Sequence, residues 1–216
     1  MNGCVKKATV SVLLVLMLSG MSYIKCKTGN GVITKISTKA CPGQKEQYAE
    51  NEPCARPKLV CRYTPIDVPD VDSSFKTWMS YKAVTDKKSP QYNLINTYGW
   101  SDSQGFMRCS GERDLGIDQD YYLIALGSYY GTEIGTKYKI TLDTGRVFYG
   151  ALADCKDNRH TNSTNQYVSH NGNVVEFLVD SSKLNKEVKR MGSANVYMPL
   201  NGSVVKIERI DFVFGG

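Results

Sequence analysis

Beyond Gly105 the chain alternates short apolar runs with turn-forming residues. Residues 106–109, 121–126, 137–142, 146–153, 174–179 and 204–212 are rich in Val, Ile, Tyr and Phe, which predicts strands. Asp143-Thr144-Gly145 and Asn171-Gly172 fall between runs, where a reversal needs residues that tolerate a left-handed backbone. One helix-like segment, 182–191, interrupts the series. Upstream the pattern differs. Asp72 and Ser73 can cap a helix, and Phe75, Trp78, Met79 and Lys82 follow at helical spacing, with Val84 near the end. Lys87, Lys88 and Ser89-Pro90 break that pattern, and residues 91–98 predict a second short helix. The aromatic stripe predicts a packing face against the β domain. Residues 27–71 lack sustained periodicity and carry Pro42, Pro53, Pro57, Pro65 and Pro69, which predicts an irregular extension with a short strand at 58–63.

The first residues read as a targeting segment. Lys6 and Lys7 precede an apolar run, 10–18, followed by Ser19 and Gly20. That run is short for a bilayer span, so 1–22 is expected to be a cleaved signal peptide or an uncleaved signal anchor. The chain then divides into an extension (23–71), a helical segment (72–100) and a β domain (101–216). Export makes disulfides possible. The seven cysteines contain no C-x-x-C pair, so neither a zinc ribbon nor a thioredoxin-like site is supported. Cys41 with Cys54 or Cys61 is a plausible bridge, and spacing does not choose between them. The net charge of +6 suits anionic wall polymers or membranes. Without a dense Lys/Arg cluster interleaved with aromatics, nucleic acid is not an expected partner. Membrane contact is expected only through an uncleaved N-terminal segment.

Several short strands with one inserted helix suggest a small closed barrel. Ile124-Ala125-Leu126-Gly127, Ile134-Gly135-Thr136-Lys137-Tyr138-Lys139-Ile140, Ala153-Asp154 and Gly172-Asn173-Val174-Val175-Glu176-Phe177 together resemble a double-psi β-barrel. The resemblance is to the three-aspartate domain of bacterial cell-wall lytic transglycosylases, and covers roughly the last hundred residues. It implies a mainly β fold with a six-stranded barrel, and cleavage of peptidoglycan or another wall glycan outside the cytoplasm. By position, Ile134-Gly135-Thr136 matches the family's turn, Asp154 its first acidic residue and Glu176 its second. The chain departs from the family at Cys155-Lys156, where a Thr-Gly pair is usual, and in a longer, more polar 157–171 segment.

Glycosidic cleavage needs a proton donor for the leaving oxygen, and a transglycosylase can then close a 1,6-anhydro ring with the sugar's own hydroxyl. Asp154 is the candidate acid, kept protonated by burial or a nearby carboxylate, and Glu176 is that neighbour. Tyr129, Tyr130 and Tyr167 are candidate sugar-stacking rings. Lys156 and His170 are further candidate substrate contacts. His160 and His170 fall after Asp154 at spacings that match no metal-ligand motif, and no metal or other cofactor is expected. No P-loop, dinucleotide fingerprint, G-x-S-x-G elbow or H-E-x-x-H occurs. A non-catalytic barrel binding wall polymers or a surface protein is the alternative expectation.

Overall fold

The computed structural model describes residues 58–215. The described residues are mainly β, with nine strands in one mixed sheet. They are β1 (Lys58–Ile66), β2 (Trp78–Ser80), β3 (Trp100–Ser101), β4 (Met107–Cys109), β5 (Tyr121–Leu126), β6 (Lys137–Leu142), β7 (Val147–Cys155), β8 (Glu176–Val179) and β9 (Val204–Gly215). Helix is confined to short pieces: α1 (Pro90–Asn93), continuing as a π turn over Leu94–Tyr98, α2 (Lys186–Met191), and scattered single 3-10 turns.

The strands run in the order β1-β9-β6-β7-β5-β4-β3. β4 and β8 share one edge of β5, at Tyr121 and Tyr122 for β4 and at Ile124 and Ala125 for β8. β2 lies parallel outside β8. The centre of the sheet follows from β5. Its sequence, YYLIAL, is apolar throughout, and every residue is buried. Tyr122, Ile124 and Leu126 enter a core with Phe106, Phe148 and Phe177, whereas Tyr121, Leu123 and Ala125 enter a second core with Ile95, Ile117 and Leu178. Burial on both faces is what a strand beside a parallel neighbour requires, and β5 runs parallel to β7. β6 alternates instead, burying Tyr138, Ile140 and Leu142. The β6–β7 hairpin closes through Asp143-Thr144-Gly145, with Gly145 at φ 77°.

The sheet is not closed into a barrel, which corrects the expectation of a six-stranded closed structure. The short strand expected at 58–63 is present and longer: residues 58–66 form β1 and pair with β9 along their whole length, leaving β1 as an outer edge. The segment just before β2 meets β9 through the side chain of Ser73. Ser73 Oγ accepts from the Val204 N–H (2.8 Å) and donates to the Val204 carbonyl (3.3 Å), in place of a strand ladder.

Residues 72–84 are the second correction. They are extended through β2 and end in a 3-10 turn, Tyr81–Ala83, rather than forming a helix. Asp72 does cap locally, accepting from the Ser74 N–H at 3.0 Å. The following backbone is claimed by distant partners: the Thr77 carbonyl accepts from the Phe177 N–H (3.0 Å) and the Lys76 carbonyl from the Ala194 N–H (2.8 Å). These bonds replace a helical ladder, and the residue sealed inside the aromatic stripe is Lys76. The expected helix at 91–98 is present as 90–98, and that at 182–191 in shorter form as 186–191.

Cys61, Cys109 and Cys155 are free thiols, so no bridge from Cys61 is present. The targeting segment, Cys41 and Cys54 lie outside the described residues. Among the described residues no helix is long and apolar enough to cross a membrane.

Candidate functional site

Ala125, near the end of β5, sets the geometry. Its partner across the parallel ladder is Asp154 of β7, and its partner across the antiparallel ladder is Glu176 of β8. Directly opposed residues share a face of the sheet, so both carboxylates stand on one face with a methyl group between them. Their backbones are two strand spacings apart, about 10 Å.

A bulge makes this possible. Ile124 pairs with Leu152 but Ala125 pairs with Asp154, which leaves Ala153 as the extra residue. Plain alternation would put Asp154 on the face of Leu152, inside the aromatic core. The inserted residue re-aims it to the face of Ala125, the side where the Pro90–Asn93 helix and Ile95 pack.

Asp154 is half-buried there. Its Oδ1 accepts from the Cys155 N–H at 2.9 Å. Burial raises its proton affinity above the ordinary carboxylate value, offset in part by hydrogen bonds from the Cys155 N–H and the Gln91 side chain. Glu176 is shifted the same way, again chiefly by burial; Lys156 and a hydrogen bond from Thr77 oppose the shift, and the charge of Asp154 adds to it. Two carboxylates that each favour the proton on one face can supply an acid and a modulating neighbour.

Lys156 closes the group. It is buried, and its Nζ donates to the Asn173 carbonyl at 2.9 Å. Burial lowers its pKa to about 8, with Glu176 pulling the other way. Its ammonium is committed inside the protein rather than presented to a ligand.

The structure thus brings Asp154, Glu176 and Lys156 together. The aromatic candidates stand apart from them. Tyr129 is 44% exposed. Tyr130 is buried, meets the Tyr129 ring edge-on at 5.3 Å, and has a hydroxyl without a partner among the described residues. Tyr167 is half-buried against the aromatic core. His160 and His170 are exposed, and His170 Nε2 lies 3.2 Å from Asn171 Nδ2. Among the described residues no three His, Cys, Asp or Glu side chains gather in a way that could hold a metal.

Two surface grooves are formed elsewhere. One, of about 670 Å³, lies between the 131–136 loop and residues 209–212; the other, of about 640 Å³, lies between Leu59 and residues 111–115. Neither is lined by Asp154 or Glu176. Gln91 and Thr77, which contact the two carboxylates, carry no sequence signal. Thr77 in particular sits in the segment whose spacing predicts helix. No protein-family model, curated protein or solved structure matches the chain.

Proposed function

We propose that the chain is an exported protein that cleaves a cell-wall glycan by general-acid catalysis, with peptidoglycan as the substrate class. One observation carries this reading: Asp154 and Glu176 flank Ala125 in register on one face, half-buried, each with raised proton affinity. Asp154 is taken as the proton donor, held protonated by burial, and Glu176 as the neighbouring carboxyl on the same face, raised by burial and by the charge of Asp154 and opposed by Lys156. The acid protonates the glycosidic oxygen as the carbon–oxygen bond breaks. The sugar's 6-hydroxyl closes onto the anomeric carbon and returns its proton to Asp154, so no second catalytic carboxylate is needed.

The test is product analysis on purified peptidoglycan. Release of anhydro-sugar ends is expected, and Asp154→Asn should reduce it by about 10²- to 10⁴-fold, the usual worth of a general acid. Glu176→Gln should leave residual activity with an altered pH profile. The position of both grooves away from the carboxylates favours a second reading, a non-catalytic module for wall polymers or a surface protein. Glycan retention without anhydro product, unchanged by Asp154→Asn, would select it.

A further inference from the structure

β9 has two neighbours along its middle, 207–210, and one at each end. Its ladder with β6 ends at Ile210, opposite Lys137, while its ladder with β1 continues to Gly215. Among the described residues, the edge of 211–215 that turns away from β1 is unpaired. Its start, at Asp211 and Phe212, lines the groove of about 670 Å³. From rise, strand spacing and sheet separation, an extended chain fills about 160 Å³ per residue, so the groove takes roughly four residues of an added strand. Unpaired backbone beside such a space is a template for strand addition.

We propose that the occupant is the same strand of a second copy of this chain, antiparallel and centred on Val213. The side chains choose this partner. In that register Phe212 of each copy lies opposite Phe214 of the other, Val213 opposite Val213, and Asp211 opposite Gly215. Phe212 and Phe214 share one face of β9, and their β1 partners on that face are Cys61 and Leu59. Pairing two copies therefore builds two cross-strand rows of four apolar side chains, Leu59–Phe214–Phe212–Cys61, each row crossing the two-fold axis. The rows cover Phe214, which is 74% exposed in the single chain, and Leu59, which is 37% exposed. No like charges meet. The neighbouring free edge, β1, is the poorer choice: the equivalent self-pairing sets Arg62 against Arg62, and Pro65 has no N–H to donate.

Sedimentation equilibrium of the full chain over a wide concentration range tests the proposal. A monomer–dimer equilibrium is expected. Phe214→Asp should raise its dissociation constant about tenfold or more while leaving the circular dichroism and melting curve unchanged, because the ring makes little contact within one copy. Val213→Cys should form a covalent dimer under mild oxidation well beyond that of the wild type, whose free thiols serve as the baseline, since directly opposed β-carbons are about 5 Å apart. Arg62→Cys should not. A wild type that stays monomeric overturns the proposal, as does a dimer indifferent to Phe214→Asp. Crosslinking through position 62 instead of 213 also overturns it.

Discussion

Asp154 holds its proton more tightly in the folded chain than an exposed aspartate does. Stability linked to such a group is full below the ordinary carboxylate range and is lost as pH rises through the folded value. Asp154→Asn should therefore raise the melting temperature at pH 7 even as it removes activity, and the gain should vanish below about pH 4, where both states are protonated. Melts at the two pH values check this, and a loss of stability at pH 7 would contradict it. The buried lysines behave oppositely. Lys76 donates to the carbonyls of Ser74 and Gly202, and Lys156 to that of Asn173; burial lowers both pKa values to about 8. Between pH 8 and about 10 the unfolded chain binds protons there that the folded chain does not, so stability rises with pH, by at most about 3 kcal/mol per lysine. Cys61, Cys109 and Cys155 oppose this, because burial holds their thiols above the usual value and unfolding releases their protons in the same window. The lysine contribution is therefore read by difference: between pH 7.5 and 9.5 the urea midpoint of the wild type should gain relative to that of Lys156→Met. Neither lysine's burial is written in local sequence. Lys82 follows an aromatic residue, as Lys76 does, and stands in solvent.

Strand runs were legible because β-branched and aromatic residues cluster between strong turn residues. All six runs correspond to strands, with ends displaced by a residue or two, or three at the C-terminal end of β9. Where neighbours decide, the pattern misleads. Helical spacing at 75–84 was overridden by the backbone partners that β8 and residues 193–194 provide. β1 was legible only as a fragment because most of its residues are exposed, leaving no alternation to read. The pairing of Asp154 with Glu176 across Ala125 was legible only through resemblance, since register depends on a bulge that apolar pattern does not mark. Loop anchoring is also set by close approach. A methyl group on Gly127, just after β5, would stand 1.9 Å from the Asn165 carbonyl oxygen. Gly127→Ala should cost about 2–3 kcal/mol by urea denaturation, the order of an overpacked site, and should speed proteolysis within 157–171. A neutral effect would mean that this loop does not rest on β5.

The described residues form a two-cored sheet with free margins rather than a sealed cylinder. The larger core is braced by edge-to-face rings, with Phe106, Tyr122 and Phe177 within 5.3–5.5 Å of one another. Composition forecast a β protein of this size. It could not forecast openness, because closure depends on whether the segment just before β2 offers β9 a ladder or, as at Ser73, one hydroxyl. The extra alanine in β7 has a consequence for how such a chain can change over generations. Substituting Ala153 alters a contact, but excising it shifts the frame of every later position in that strand and delivers an ionisable side chain among phenyl rings. Descendants of this protein should accordingly vary in letters at that spot and never in length, and a codon-deletion library sorted for folded survivors would return none there.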